Sequence, residues 1–262
     1  MVTRRAVLAT FPGILTAAAG PTLERQTELL REASAKAFQY ARKLPDFTCL
    51  ETIHRWRRPL GDGWLLQDKI RAQIGIASGR EYYKLLTWNE LQTQLSYRQV
   101  GGALTEGEFG SLLAEIFHPN TAAFRFSKTF RLDGKTLFVY QYQVPQERAT
   151  YHLEYRARDG KGQSVVVGHR GLVWIDEATQ RVLRIEQTAQ IPRGFPLRSS
   201  KTVLEFAWFD IAGTKWLMPS HSIVTMGGSE LRIRNEVDFS EYRRFTAESS
   251  ITFESRPIES RP

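Results

Sequence analysis

Lys201-Thr-Val-Leu-Glu-Phe-Ala-Trp-Phe-Asp-Ile-Ala-Gly213-Thr-Lys-Trp-Leu-Met-Pro-Ser-His-Ser-Ile-Val-Thr-Met226 is the stretch whose reading decides the fold of this chain. Side chains of a strand point alternately to its two faces, so Leu204, Phe206 and Trp208 form an apolar row set against Glu205 and Ala207. Ala212-Gly213 sits where the period breaks and supplies residues that tolerate the positive φ of a tight hairpin. Residues 202–211 and 215–226 therefore read as two long antiparallel strands with one strongly apolar face. The segment 181–190 repeats the pattern, with Val182, Arg184, Glu186 and Thr188 opposed to Leu183, Ile185, Gln187 and Ala189.

Working outward, the same period of two runs through 47–57, 64–76, 80–88, 92–98, 122–132, 136–144, 150–158, 164–175, 230–239 and 241–253. Gly61-Asp62-Gly63, Asp133-Gly134, Asp159-Gly160 and Gly227-Gly228 supply the turns between them. Residues 22–44 instead carry a helical stripe of Leu23, Leu30, Ala33, Ala37, Ala41 and Leu44, with Thr22 as the candidate cap and Pro45 as the stop. Phe109, Leu112, Leu113 and Ile116 predict a second, short helix over 107–117, stopped by Pro119. Consecutive strands joined by short turns make a meander. The expected fold class is α+β, a curved antiparallel β-meander or half-barrel with one long N-terminal helix and a short helical insertion packed on it.

Composition narrows the classes. The chain has 262 residues, 42% hydrophobic and 24% charged, a globular balance long enough for a sizeable core. Cys49 is its one cysteine, so no internal disulfide, CxxC pair or cysteine-rich zinc site can form. The formal charge of +8 is spread as pairs such as Arg57-Arg58 and Arg243-Arg244 with no basic run, which argues against nucleic acid as a partner.

Met1-Val-Thr-Arg-Arg5 is a short basic head, Ala6 to Leu15 a mainly apolar stretch, and Ala17-Ala18-Ala19 the small residues a signal peptidase reads. Residues 1–19 are expected to be a signal peptide cleaved after Ala19, by the Sec route or, because Thr3-Arg4-Arg5-Ala6-Val7-Leu8 is similar to a twin-arginine signal, by that route. Cleavage lowers the formal charge from +8 to +6. No later window approaches the 20 or so apolar residues of a transmembrane helix. The expected location is periplasmic or secreted, with residues 21–253 as a single β-rich domain and 254–262 as a flexible tail.

No sequence motif of catalysis is present: G-x-S-x-G, H-E-x-x-H, the P-loop and G-x-G-x-x-G after a strand are all missing. Cys49, Glu51 and His54 come nearest to a cluster, but alternation puts Cys49 and Glu51 on one face of their strand and His54 on the other. The reading is a buried cysteine and two surface polar residues. His118, His152, His169 and His221 read as turn or surface residues, and Glu106 and Glu108 as exposed. Trp56, Trp64, Trp88, Trp174, Trp208 and Trp216 read as hairpin and core packing rather than a ligand platform. No catalytic, cofactor or metal residue is expected, and no cofactor.

Gly171-Leu-Val-Trp174-Ile-Asp176-Glu-Ala-Thr179-Gln-Arg-Val-Leu183-Arg184-Ile-Glu186 resembles a hairpin that recurs in the LolA, LolB and RseB group of periplasmic lipoprotein-handling proteins. Asp176 and Thr179 shape the loop in such a hairpin, and Trp174, Leu183 and Arg184 belong to its flanks. The resemblance implies a curved half-barrel crossed by a helix, with an apolar cavity between them that takes acyl chains. Leu44-Pro-Asp-Phe47-Thr-Cys-Leu-Glu-Thr52 likewise resembles the start of uncharacterised secreted proteins of this architecture. Together with the one-sided strands, this implies a non-enzymatic carrier for a lipid, acyl chain or acylated ligand. The alternative is an envelope protein that offers the same surface to a protein partner.

Overall fold

Strand β1 (Phe47–Pro59) lies between its sequence neighbour β2 (Leu65–Ala77) and the most distant strand of the chain, β13 (Leu231–Arg244), antiparallel to both. That pairing organises the computed structural model, which describes residues 20–59, 62–77, 80–100, 109–156, 162–229 and 231–245. The expected signal peptide with Ala19, Glu106 and Glu108, the turn at Asp159-Gly160 and the tail 254–262 lie outside the described residues.

From β1 the sheet extends one way through β2 to β3 (Arg80–Trp88) and β4 (Leu91–Gln92). It extends the other way from β13 through β12 (Thr214–Gly227), β11 (Ser199–Ile211), β10 (Val182–Ala189), β9 (His169–Asp176) and β6 (Lys135–Val144) to β5 (Ala123–Leu132). The result is a curved, open, antiparallel eleven-stranded sheet, the half-barrel with helical cover of an α+β fold. Its two edges, β4 and β5, are consecutive strands. The chain between them must cross from one rim to the other, and it carries helix α2 (Ser111–Phe117) over the concave face. Strands β7 (His152–Arg156) and β8 (Gly162–Val166) pair only with each other, as a hairpin beside the main sheet.

Helix α1 (Leu23–Lys43) covers the rest of the concave face. Thr22 caps it, its Oγ1 accepting from Arg25 N at 3.2 Å, and it ends at Leu44 before Pro45. Of the expected stripe Ala33 and Ala37 are buried and Leu30 and Leu44 pack against the core, Leu29 and Tyr40 join them, and Leu23 stays out. Leu23 is 78% exposed because the first turn has not yet reached the sheet.

Other expected boundaries also shift. The segment 92–98 is not a strand: pairing ends at Gln92, and a 3₁₀ turn follows at Tyr97–Val100. The segment 164–175 divides into β8 and β9 at Gly168, whose carbonyl accepts from Gln190 N and whose Cα is crowded by Gln146 N and Val144 O. The break expected at residue 240 is a bulge rather than a turn. Glu241 takes φ 53° there, and β13 runs on unbroken to Arg244. In β11, Leu204 and Phe206 are buried as their row predicts, but Trp208 is 45% exposed, and Phe209 and Ile211 pack on the core instead. A register shift between Glu205 and Phe206 accompanies the change.

Gly171 marks the tightest approach between strands. A Cβ there would lie 1.7 Å from the carbonyl oxygen of Glu186, which is backbone and cannot swing away. Gly171→Ala is therefore expected to lower stability by about 3 kcal/mol, the upper end for overpacking, read as a lower denaturation midpoint in urea.

Candidate functional site

The concave face is lined by Phe47, Ile53, Ile74, Tyr140, Ile185, Leu204, Phe206 and Phe239, all buried. The covering helices meet it with different chemistry. α1 presents Leu29, Ala33, Ala37 and Tyr40, two large residues on either side of two small ones. The α2 segment presents Phe109, whose ring packs 5.5 Å from Phe47 and 5.2 Å from Phe239, together with Leu113 and Ile116. Phe38 of α1 and His118 after α2 meet edge to face at 5.6 Å and join the two covers.

Between the helices and the sheet remains a cavity of about 10 Å³, lined by Ala37, Tyr40, Leu113, Arg181, Val182, Phe206 and Leu217. That is room for about one water. The apolar cavity implied by the hairpin resemblance is thus closed here: side chains of both covers fill it.

The polar contacts that hold α1 converge on the β9–β10 turn. Arg25 Nη2 lies 3.4 Å from Glu177 Oε1, and Lys36 Nζ donates to Thr179 O at 2.8 Å and to Gln180 Oε1 at 2.6 Å. Asp176 shapes that turn, its Oδ2 accepting from Thr179 N at 3.1 Å and from Thr179 Oγ1 at 2.5 Å. Leu183 sits at the bulge between Val182 and Arg184, so the partner of Trp174 across the ladder is Arg184, whose guanidinium lies 5.5 Å from the indole centroid. Tyr140 OH adds a bond to Gln26 O at 2.7 Å, and burial pushes that phenol up to about 12.

A buried cluster ties α2 down. His169 is fully buried, not a surface residue as expected, with its Nε2 3.5 Å from Glu115 Oε1 and its Nδ1 3.3 Å from Tyr142 OH. Burial works against ionisation of Glu115. Its contact with His169 and the bond it accepts from Thr150 N outweigh burial and hold the carboxyl below its ordinary value.

On β1, Cys49 and Glu51 face inward and His54 outward, but Glu51 is 1% exposed rather than a surface residue. It accepts a bond from Tyr97 OH at 2.9 Å. Burial, then the nearby Glu51, push the Cys49 thiol up, so no thiolate is available as nucleophile or ligand. Among the described residues no three His, Cys, Asp or Glu side chains gather as a metal site.

Four residues beyond Glu51, Arg55 continues the inward row and meets Asp68 of β2 through paired bonds of 2.6 and 2.5 Å, while Trp88 Nε1 donates to the same carboxylate at 3.1 Å. Asn235 of β13 is the partner of Arg55 on the other side and is also buried. Alternation from Cys49 and Glu51 already placed Arg55 on the inner face, a charge in an apolar register. For His169 and Glu115 the sequence carried no such signal, because their strand and helix meet only in the fold.

Of the other tryptophans, three have defined contacts. Trp56 Nε1 donates to Glu236 at 2.9 Å, Trp64 lies under Arg234 at 4.8 Å, and Trp216 packs on the core. A groove of about 600 Å³ on the outer face of β5, β6, β9, β10 and β11 is lined by Arg125, Gln141, Arg170 and Glu186 among others. Cross-strand pairs occupy it, Lys201 with Glu186 at 3.2 Å and Arg125 with Gln141 at 2.5 Å.

No family model matches the chain, and no curated protein sequence does. Among solved structures it is similar to a LolA superfamily protein from Nitrosomonas europaea, at 14% identity over 86% of this chain and 97% of that one, with a TM-score of 0.39. It is also similar to a DUF1329 family protein from Desulfovibrio piger, at 12% identity over 87% and 96%, with a TM-score of 0.43. At these values the likeness concerns the fold alone.

Burial opposes the charge on Asp68, but the bonds from Arg55 and Trp88 and the Arg55 charge hold its carboxyl below the ordinary 3.8. A depressed folded value contributes stability that is present above the unfolded value and lost as pH falls through the folded one. Asp68→Asn is therefore expected to cost about 3 kcal/mol at pH 7, with the gap to wild type closing below roughly pH 4. Urea denaturation of both proteins from pH 7 to pH 3 reads this directly.

Proposed function

We propose that this protein is an exported, non-enzymatic binding or carrier protein that takes a lipid, acyl chain or acylated ligand between the concave sheet and helix α1, with α1 as a displaceable cover. The observation that carries the reading is the inequality of the two sides. The sheet side is broad and aromatic, whereas α1 contributes Leu29, Ala33, Ala37 and Tyr40 as its fully buried face. That face is worth about 6 kcal/mol of apolar burial. A chain of about sixteen methylenes, at about 0.8 kcal/mol each, transfers on the order of 13 kcal/mol out of water and outweighs it. A ligand site on the order of 300 Å³ or more is needed for such a chain, so entry requires α1 to leave its latch on the β9–β10 turn. Export by residues 1–19, with cleavage after Ala19 and release to the periplasm or medium, belongs to the same proposal.

A second reading, an envelope protein that binds a protein partner, is favoured by the filled concavity, whose free volume is about 10 Å³. One experiment separates the two. The full chain, purified from expressing cells, is examined by native mass spectrometry before and after incubation with phospholipid and with an acylated peptide. The carrier reading expects near-stoichiometric adducts. A bare mass with neither probe taken up sinks it in favour of the partner reading. Within the carrier reading, Arg25→Ala with Lys36→Ala removes the latch and is expected to speed uptake of the same probes several-fold in stopped-flow fluorescence.

A further inference from the structure

Arg55, Asp68 and Asn235 are register partners across β2, β1 and β13, all buried, and this polar row closes the core at one end of the sheet. The three strands do not stop there. β1 runs on to Pro59, β2 begins at Leu65 and β13 begins at Leu231, so these strands, with β12 still paired to β13 as far as Gly227 opposite Arg232, form a blade that projects three to four residues, about 10–13 Å, beyond the row. Its surface combines two kinds of side chain that a free aqueous surface keeps apart. Leu65, Leu66 and Leu231 are 47%, 44% and 43% exposed. Among them stand Arg57, Arg58, Arg232 and Arg234, and Arg198 follows at the same level, bonded through its N–H to Gly227 O beside Arg232.

Basic residues outnumber acidic ones there. Arg57, Arg58, Arg198 and Arg232 have no carboxylate partner among the described residues. The acidic residues of the same stretch are Asp62, at the β1–β2 turn, Glu230, which precedes Leu231 and lies outside the described residues, and Glu236, which is already held by Arg234 at 3.0 Å and by Trp56. Arg58 and Arg234 stack on Trp64 at 5.7 and 4.8 Å, which fixes an aromatic ring beside the outer end of the blade, where β2 begins. Basic residues that are scattered in the sequence are thus gathered by strand pairing at one end of the sheet, Arg57 on the face of Leu65 and Leu231 and Arg58, Arg232 and Arg234 on the opposite face with Leu66, so both faces of the blade carry an apolar and a basic side chain.

We infer that this blade docks on an anionic lipid bilayer. The arginines are placed to pair with headgroup phosphates, and the three leucines to enter the boundary between headgroups and acyl chains, with Trp64 at the interface level. Nucleic acid offers phosphates too, but no apolar layer for exposed leucines, so the combination selects a lipid surface. The inference does not depend on the concave face taking a ligand.

The test is co-sedimentation of the full chain with vesicles of phosphatidylglycerol and phosphatidylethanolamine, compared with pure phosphatidylcholine, at low and high salt. Wild type is expected to sediment with the anionic vesicles and be released by salt. Arg57→Gln, Arg198→Gln and Arg232→Gln combined are expected to weaken partitioning by about 100-fold, at roughly 5-fold per arginine near the surface. Leu65→Ser with Leu231→Ser is expected to abolish the salt-resistant fraction while keeping the salt-sensitive one. All these side chains are exposed, and thermal melts matching wild type show that the variants fold. Wild type that stays in the supernatant with anionic vesicles overturns the proposal, as do variants that sediment like wild type. So does a wild-type oligomer that the arginine variants convert to monomer, which would assign the blade to contact between copies.

Discussion

The ladder between β1 and β13 is the interaction on which the rest of the structure depends. It joins the first and last described strands at the middle of the sheet, and from it the two arms of the meander run outward to β4 and β5. Because those edges are neighbours in sequence, the chain has to recross the concave face, and the recrossing delivers α2 to the place where it can cover it. The same ladder brings Arg55 beside Asn235, aligns the blade strands beyond them and sets β1 next to β2 with the Arg55–Asp68 pair between them. Long-range strand pairing of this kind costs loop entropy before it is rewarded, so the rewards have to be large. Here they are the buried inward rows of both strands.

A sheet that is apolar on one face must be covered, and the two covers solve that problem differently. The α2 segment is short and is held by bulk and by a buried pair, Phe109 against Phe47 and Phe239 and Glu115 against His169. α1 is long, meets the sheet through Leu29, Ala33, Ala37 and Tyr40, and is fixed as well by side chains reaching the β9–β10 turn.

At one end of β1, β2 and β13, buried charge and exposed apolar surface occur at adjacent levels of the same strands. Buried charge needs complete pairing, and Asp68 receives it from Arg55 and Trp88. Immediately beyond, the strands lose their cover and Leu65, Leu66 and Leu231 face water. The polar row marks where the interior ends, so the blade is an extension outside the core rather than a frayed piece of it.

Period-two alternation, turn glycines and the helical stripe after residue 22 determined the α+β class, the antiparallel meander and most strand positions, because those signals are local and each is set by backbone geometry. Arg55 on the inward row was legible in the same way, as was the separation of Cys49 from His54. The pairing of β1 with β13 was not, since no local signal says which strand a distant strand will meet. Nor was the point where the buried stripe of α1 begins: Leu23 and Leu29 are equally apolar, and only the position of the sheet decides which is buried. His169 meets Glu115, and Arg57, Arg58, Arg198 and Arg232 gather at one end, because the fold adds side chains from remote segments. The closed concavity is likewise a tertiary outcome, because packing volume depends on how the aromatic side chains of α2 and the sheet interdigitate, and a one-dimensional pattern does not encode that.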